Sequence, residues 1–218
     1  MKSIGFYILL LLTLLLISCS KSDSNSDSAS GGKGGSMARF AINGNYLYTV
    51  DSRKLKIFDI SEATQPTYQG EYHGGEDVET IFPYRNTLFL GTRWGMNIID
   101  VTNPVTPVFK STYQHVYSCD PVVVSETTAY VTLRSEGSAC WRTQNQLDII
   151  DVSNLSDPRI IKTYQMTNPK GLGVDKNLLF VCDQGLKGFT TAPTHITLTW
   201  FLIFLPYRPT ILSLLTTC

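Results

Sequence analysis

The 218-residue chain has no net charge, because 18 lysine and arginine residues balance 18 aspartate and glutamate residues. A neutral chain offers no electrostatic attraction to phosphate backbones or to acidic membrane surfaces, so its composition indicates no nucleic-acid partner. Charged residues are scarce, at 17%, and aromatic residues reach 11%, a balance that suits a β-rich protein outside the cytoplasm. The repeated region described below also lacks a sustained helical period, which argues against helices there.

Short motifs that carry enzyme chemistry are missing as well. We find no serine nucleophile elbow, P-loop, dinucleotide fingerprint or zinc-binding helix. His73 and His115 occupy comparable places in successive units, but two histidines without an acidic cluster make a poor metal site. Glu76 and Asp77 lack the spacing of a calcium loop. We therefore expect no catalytic residue, metal or cofactor.

The first 19 residues have the layout of an export signal. Lys2 gives a positive start, and residues 4–18 form an apolar run that is short for a membrane span. The run ends in "LISC", which resembles the lipobox of bacterial lipoproteins, in which the cysteine is acylated after cleavage. Two or more acyl chains hold a protein on a membrane far more firmly than one. We expect Cys19 to be a lipid anchor. The alternatives are an ordinary signal peptide and an N-terminal helix that happens to precede a cysteine.

Residues 20–36 follow as a linker rich in serine, glycine and aspartate. The linker has no apolar residue larger than alanine, so it cannot repay the entropy of ordering and is expected to be a flexible tether. In enterobacterial lipoproteins, an aspartate directly after the lipidated cysteine is associated with retention in the inner membrane. This chain has Ser20 at that position, so the outer membrane is the favoured location. Whether the domain faces the periplasm or the cell surface stays open.

A repeat fills the middle of the chain. Its anchors are Asp59, Asp100 and Asp151, which are 41 and 51 residues apart. Each aspartate ends an apolar alternation, written "LKIFD", "MNIID" and "LDIID". A proline follows each aspartate after seven residues and a tyrosine after thirteen: Pro66, Pro107 and Pro158, then Tyr72, Tyr113 and Tyr164. Three copies that agree at several offsets indicate one structural unit repeated in space.

Each unit contains four short runs of β-branched or aromatic residues separated by turn residues. Four strands in about 40 residues is typical of a blade of a β-propeller. The sequence therefore predicts an all-β chain of four-stranded blades. The repeated aspartate is expected to accept hydrogen bonds from backbone N–H groups of the next turn, and the proline to prevent pairing there. We prefer this structural role to a metal-binding role.

These residues resemble the LVIVD repeat over roughly residues 39–187. The family consists of bacterial and archaeal surface or secreted proteins thought to be β-propellers, and it has no single assigned activity. The resemblance thus implies a fold and a location more than a chemistry.

A fourth copy begins after the third and then breaks down. Residues 188–218 lose the pattern, and the aspartate expected at position 190 is Thr190. Because the genetic code is degenerate, the codons from Gly188 onward could spell "VYDSSDP" in a shifted reading frame. That sequence would restore the repeat. We interpret residues 37–187 as a partial propeller of about three and a half blades and 188–218 as an aberrant tail, with a genuine divergent terminus as the alternative.

Two further features bear on the surface of the domain. Cys119 and Cys140 are expected to form a disulfide in an oxidising compartment, with two free thiols as the alternative, whereas Cys182 is predicted to be a small buried hydrophobic residue. The pairs Arg93/Trp94 and Trp141/Arg142 lie before the third strand of successive units. Tryptophan and arginine are enriched at binding hot spots, so these pairs are the candidate contact surface, with packing between blades as the alternative.

The leading hypothesis is a non-catalytic binding scaffold for protein or glycan, tethered to the cell envelope. The alternative is an extracytoplasmic propeller enzyme, a hydrolase or oxidoreductase whose active-site blades are missing from this chain. A purely structural envelope protein is a third possibility.

Overall fold

A computed structural model describes residues 37–115, 121–135 and 145–191, and the backbone of 199–202. Across these residues the chain forms fourteen β-strands and no helix. The strands are β1 (Phe40–Asn43), β2 (Tyr46–Asp59), β3 (Thr67–Tyr84), β4 (Thr87–Thr92), β5 (Gly95–Asp100), β6 (Val108–Gln114), β7 (Val122–Ser125), β8 (Thr128–Leu133), β9 (Gln146–Asp151), β10 (Arg159–Gln165), β11 (Pro169–Asp175), β12 (Leu178–Asp183), β13 (Leu186–Thr190) and β14 (Thr199–Leu202).

The strands are antiparallel to their neighbours and follow one another in chain order within three sheets. The first sheet has six strands because β2 and β3 are long. The first half of β2 pairs with β1 and its second half with β3, while β3 continues to pair with β4. The ladder shifts register near Ser52 and Val78, so each long strand combines two short ones. The chain thus contains four successive four-stranded units, which we call blades 1 (residues 40–73), 2 (78–114), 3 (122–165) and 4 (169–202).

The turn between the first and second strands is the same in every blade. Each turn has one residue in the left-handed region: Gly44, Arg85, Glu126 and Lys176, with φ of 59°, 51°, 52° and 52°. The carbonyl of the following residue then accepts a backbone hydrogen bond from the end of the third strand: Ile60 to Asn45, Val101 to Asn86 and Val152 to Thr127 at 2.8 Å, and Thr191 to Asn177 at 2.7 Å. The fourth copy therefore keeps the backbone geometry of the other three.

The repeated aspartates end the third strand of blades 1, 2 and 3. In each blade the Oδ1 atom accepts a 2.8 Å hydrogen bond from the backbone N–H two residues later: Ser61 in blade 1, Thr102 in blade 2 and Ser153 in blade 3. This bond satisfies a backbone donor where the strand turns outward. Hydrogen bonds from the side chain and the backbone of that same residue hold the pKa values of Asp59, Asp100 and Asp151 below the ordinary value, and the pKa of Asp100 falls to about 2. The side-chain bond is the larger cause for Asp59 and Asp100, and the backbone bond for Asp151. Thr190 holds the equivalent place in blade 4.

The repeated prolines and tyrosines also occupy equivalent places. The residue after each proline is the one that pairs with the aspartate, so the last strand starts directly after the proline in all three copies. Each tyrosine lies opposite the first apolar residue of the third strand: Tyr72 opposite Leu55, Tyr113 opposite Met96 and Tyr164 opposite Leu147. This repeated register is what a propeller requires of its blades.

The core lies between blades. Alternate residues of each blade face the preceding blade, on what we call the front face, and the others face the next blade, on the back face. One apolar cluster joins the back face of blade 1 to the front face of blade 2, and a second joins blades 2, 3 and 4. An aromatic residue stands at the same back-face position of the second strand in every blade: Tyr48, Phe89 and Tyr130, at 0%, 1% and 2% exposure, and the half-buried Phe180.

The sheet of blade 4 extends beyond Lys187, where we placed the end of the repeat. β13 continues to Thr190, and β14 pairs with it in register, Lys187 opposite Leu202 and Thr190 opposite Thr199. The predicted out-of-frame origin of the tail stays a prediction.

Candidate binding surface

The candidate contact residues lie at one end of the blades, where the second strand finishes and the third begins. We call it the upper end. Arg93 and Trp94 form the turn between β4 and β5 at the upper end of blade 2. Trp141 and Arg142 belong to the corresponding connection of blade 3 but lie outside the described residues.

The turn in blade 2 is held by its own hydrogen bonds. The hydroxyl of Thr92 donates to the carbonyl of Gly95 at 2.9 Å and accepts from the backbone N–H of Trp94 at 3.2 Å. Gly95 passes so close to the last strand that an added Cβ would lie 2.2 Å from the carbonyl oxygen of Tyr113. Only glycine fits there, and the close approach fixes where the turn leaves the sheet. The side chain of Trp94 is 57% exposed.

Arg93, unlike the exposed Trp94, is held in an ion pair. Its Nε donates to Oε1 of Glu79 at 2.9 Å, and the two side chains are only 34% and 23% exposed. Glu79 lies in the part of β3 that opens blade 2, so this ion pair ties the turn to the first strand of the same blade. Of the predicted pair, Trp94 is the exposed residue and Arg93 is half-buried in an internal contact.

Charged residues concentrate at the upper end of blade 1. Arg53 lies 2.7 Å from Glu76 of the connection to blade 2, and His73 lies 3.8 Å from the same carboxylate. The connection also contains Asp77, with a φ of 52°, and Gly75, with a φ of 118°. Residues with a side chain rarely adopt the φ of Gly75, and an added Cβ there would also lie 2.4 Å from the side-chain amide of Asn97, so this backbone path favours glycine.

Two further ion pairs lie on blade 1. Lys56 lies 3.0 Å from Asp51 and Lys54 pairs with Glu71, on side chains that are 42% to 56% exposed. The hydrogen bond from Lys56 lowers the pKa of Asp51, and the one to Glu71 raises the pKa of Lys54. An open depression of about 470 Å³ is lined by Asp51, Ser52, Arg53, Lys54, Lys56 and Glu71.

A buried carboxylate closes the upper end of blade 4. The side chain of Asp183 is 0% exposed and accepts a 2.6 Å bond from Nζ of Lys187. Backbone N–H groups of Thr167 and Asn168 donate to the same carboxylate. Burial raises the pKa of Asp183, but the bonds from Asn168, Lys187 and Thr167 outweigh it and hold the pKa below the ordinary value.

A second buried carboxylate lies between blades 2 and 3. Asp148 is 1% exposed and accepts hydrogen bonds from Thr163 at 2.7 Å and Gln146 at 2.8 Å. The hydroxyl of Tyr113, on the last strand of blade 2, donates to it at 3.3 Å. One of the repeated tyrosines thus reaches across to the next blade, where it satisfies a buried acceptor.

Neither buried carboxylate was singled out by the sequence analysis. A signal was present for Asp148, because a charged residue within the apolar alternation of "LDIID" faces into the core. Nothing in the sequence distinguished Asp183 from a turn residue, since its partners come from the preceding blade connection.

The described ranges, up to residue 191, hold no group of three or more His, Cys, Asp or Glu side chains placed to bind a metal ion. Within the same ranges no helix is long and apolar enough to span a membrane.

The prediction for Cys182 was wrong. Its side chain is half-buried and disulfide-bonded rather than a buried free thiol, and its partner cysteine lies outside the described residues. Cys119, Cys140 and Cys19 lie outside them as well, so the Cys119–Cys140 pairing and the anchor stay predictions.

The family model for the LVIVD repeat matches residues 34–74, 89–115 and 118–166, more than half of the chain. The protein belongs to the LVIVD-repeat family, and its fold is a β-propeller of four-stranded blades. No curated protein matches the chain.

Solved structures support the same fold. Apo AztD from Citrobacter koseri is 11% identical with a TM-score of 0.54, over 79% of this chain and 49% of that one. Hsv2 from Kluyveromyces lactis is 12% identical with a TM-score of 0.51, over 78% and 52%. A protein of unknown function from Desulfotomaculum acetoxidans is 20% identical with a TM-score of 0.50, over 68% and 52%. The chain spans about half the length of each, and at such identities the likeness concerns the fold alone.

Proposed function

We propose that this protein is a lipid-anchored component of the cell envelope whose LVIVD propeller is a non-catalytic binding scaffold for protein or glycan. The anchor is the acylated Cys19, the linker is residues 20–36, and the outer membrane is the favoured location. Membership of the LVIVD-repeat family supports the scaffold role. The lipobox-like "LISC" and the polar linker support the anchor.

The observation that carries the binding role is the exposed indole of Trp94. The Thr92 and Gly95 contacts fix the backbone of the turn, so little backbone entropy remains to be lost when a ligand covers the ring. The ion pair between Arg93 and Glu79 flanks it with polar groups. An exposed aromatic ring on a fixed turn, with polar groups beside it, is suited to stack on a sugar ring or to receive an apolar side chain.

The binding role is tested with the full chain in detergent. Surface plasmon resonance against immobilised purified envelope polysaccharide, peptidoglycan fragments and outer-membrane proteins measures affinity directly. We expect binding to at least one of these probes, and Trp94→Ala to weaken it by about tenfold or more, equivalent to about 1.4 kcal/mol.

The matched control is Phe109→Ala. Phe109 is a similarly exposed aromatic residue of blade 2, at 51%, but it lies on the outer strand β6. Its replacement should leave the affinity unchanged. Absence of binding to every probe, or equal affinity of the Trp94→Ala variant, would contradict the proposed role.

The anchor is tested by metabolic labelling with an alkyne fatty acid. We expect the wild-type chain to be labelled and to sediment with the outer membrane, whereas Cys19→Ala should be unlabelled. Ser20→Asp is the second variant, and it should be labelled but shifted toward the inner membrane. Labelling of the Cys19→Ala chain would exclude the predicted anchor.

A further inference from the structure

Exposed apolar side chains recur at one position of the outer strands. This position lies nine residues after the repeated aspartate, near the start of the fourth strand, and holds Tyr68, Phe109 and Ile160 in blades 1, 2 and 3. Each side chain is 50% to 56% exposed, and each residue lies opposite the one that precedes the aspartate on the third strand. The fourth strand starts at the end of the blade opposite to the upper end, which we call the lower end. The three side chains therefore lie at the same height in three successive blades.

Three further exposed apolar residues surround this position. Val105 belongs to the turn before β6, Val108 is the first residue of β6, and Ile161 follows Ile160 on β10. We call this set the outer rim: Tyr68, Val105, Val108, Phe109, Ile160 and Ile161. Six of the ten exposed large apolar side chains of the described residues thus lie at one level of the surface. Such a concentration marks a contact surface.

The outer strands are apolar at the lower end only. Five residues further along the same strands, at the upper end, the exposed residues are His73, Gln114 and Gln165. The surface therefore changes from apolar to polar over about 16 Å in each of three blades. An apolar level of constant height that gives way to a polar level is what a domain presents to the boundary between lipid and water.

The chemistry of the rim also suits lipid. A tyrosine, a phenylalanine and an isoleucine share the same position, and these side chains are alike in hydrophobicity but not in shape, which is all that a fluid surface requires. The cations beside the rim are engaged in their own blades: Lys110 lies 2.9 Å from Asp100, and Nε of Arg159 donates to Asp157 at 2.9 Å. Because these charges are compensated, the rim suits a lipid surface without net charge better than an acidic one.

We propose that the outer rim lies on a zwitterionic phospholipid surface, with its side chains among the head groups and the first acyl carbons. The contact depends on the proposed lipid anchor at Cys19, because an anchor confines the domain near the bilayer and so favours a contact too weak for a free protein. The linker, residues 20–36, spans up to about 60 Å when extended, which exceeds the length of about 23 Å of a seven-residue outer strand. The anchor therefore allows the rim to reach the bilayer. In the absence of lipid the rim stays open to water.

The contact would fix which way the domain faces. Trp94 lies at the upper end of blade 2, and the outer rim lies at the lower end. A domain held only by its linker can present either end to the bilayer. A domain that also rests on its rim keeps Trp94 turned away from the lipid, where a ligand can reach it. The outer rim is thus an orienting surface for the proposed binding role.

The first experiment is photolabelling of the full lipidated chain in phosphatidylcholine vesicles, with benzoylphenylalanine in place of Ile160. The benzophenone group inserts into nearby C–H bonds, and mass spectrometry identifies a phospholipid adduct. The matched control carries the same group in place of Gln165, which is exposed at the upper end of the same strand. We expect about tenfold more lipid adduct at position 160 than at position 165, because only the former reaches the lipid.

A second tether separates the rim contact from the anchor. A histidine tag in place of residues 1–19 holds the chain on phosphatidylcholine vesicles that contain nickel-chelating lipid, so labelling no longer depends on acylation of Cys19. Position 160 should again be labelled in preference to position 165. Labelling of the tagged chain without acylation of the natural chain would remove the anchor and keep the rim contact. Acylation without preferential labelling at position 160 would keep the anchor and remove the rim contact.

The strength of the contact is measured by the release of the tagged chain from the same vesicles. The double variant Ile160→Ser/Ile161→Ser should be released about threefold faster or more, since it loses apolar contact, whereas Gln165→Ser should behave like the parent. Replacing part of the phosphatidylcholine by phosphatidylglycerol should change release by less than about twofold, because the charges beside the rim are compensated.

Four results would overturn the proposal. They are equal labelling at positions 160 and 165, labelling at neither position, a requirement for acidic lipid, and a crosslink from position 160 to protein rather than lipid in intact cell envelopes. The last result would make the outer rim a protein contact. Because benzoylphenylalanine is itself apolar and replaces a half-exposed side chain, the labelling test remains decisive even if the serine variant does not fold.

Discussion

Phe40 in blade 1 and Ile81 in blade 2 occupy the same place in the repeat, yet their side chains are 57% and 0% exposed. The local sequence is apolar at both positions, and both lie on the first strand four residues before the left-handed turn residue. Only the neighbour differs, because blade 2 packs on blade 1, whereas no blade among the described residues packs on the front face of blade 1. The comparison teaches that burial in a propeller belongs to the contact between blades rather than to the blade itself.

The largest expected effect separates these two positions. Ile81→Lys places a charge in the core between blades 1 and 2 and should lower the free energy of unfolding by about 4 kcal/mol or more, or prevent folding. Phe40→Lys changes an exposed residue and should alter the unfolding of the monomer by less than about 0.5 kcal/mol. Urea denaturation followed by circular dichroism measures both. Equal destabilisation would show that the front face of blade 1 is covered as the front face of blade 2 is.

The aromatic residues of the second strands give the next largest effect. Phe89→Ala removes a fully buried ring and should cost about 3–5 kcal/mol. Phe180→Ala, at the same position of blade 4, should cost less than half of that, because the ring is only half-buried. The same denaturation assay compares them, and a larger loss at Phe180 would mean that blade 4 is covered within one chain.

Tyr113 and Tyr72 allow the contribution of a single hydrogen bond to stability to be compared between two blades. Tyr113→Phe removes the donor to the buried carboxylate of Asp148 and should cost about 1.5–3 kcal/mol. The hydroxyl of Tyr72 makes no hydrogen bond to a described residue, and Tyr72→Phe should be nearly neutral. A neutral Tyr113→Phe variant would mean that the contact between blades 2 and 3 does not depend on this bond.

The smallest expected effect is a loss of folding stability at acidic pH. The pKa values of Asp59, Asp100 and Asp151 are depressed in the folded state, so their contribution to stability is complete above the unfolded pKa of about 4 and is lost as the pH falls toward 2. These groups are partly exposed to solvent, which screens their interactions, so the change should be modest. Asp100→Asn should flatten the pH dependence of the thermal midpoint between pH 4 and 2. An unchanged slope would show that Asp100 titrates equally in both states.

Much of the fold followed from the sequence, because every repeated residue has a local task. The aspartate accepts a hydrogen bond two residues later, the proline precedes the last strand, and the tyrosine faces the third strand. Each of these depends on near neighbours, so spacing alone reveals it. The family and the propeller architecture were predicted on this basis and are confirmed.

The candidate site was less predictable, because it depends on distant residues. From the sequence, Arg93 and Trp94 are equally good candidates for an exposed contact residue. In the structure, Glu79, fourteen positions earlier, forms an ion pair with Arg93 and leaves Arg93 half-buried, whereas Trp94 is exposed. Cys182 looked like a core residue because its strand is apolar, whereas alternation turns it to the back face of blade 4, where it is half-buried and disulfide-bonded. No periodicity within one unit shows whether another blade covers it.

The central claim is that burial of the apolar face of a blade depends on contact with the blade before it, and hydroxyl-radical footprinting with mass spectrometry of the full chain tests it most directly. The test compares Phe40 of blade 1 with Ile81 of blade 2, and Phe109 is the exposed reference. After correction for the intrinsic reactivity of each side chain, we predict that Phe40 is oxidised like Phe109 and that Ile81 is protected. Equal protection of Phe40 and Ile81 would contradict the account.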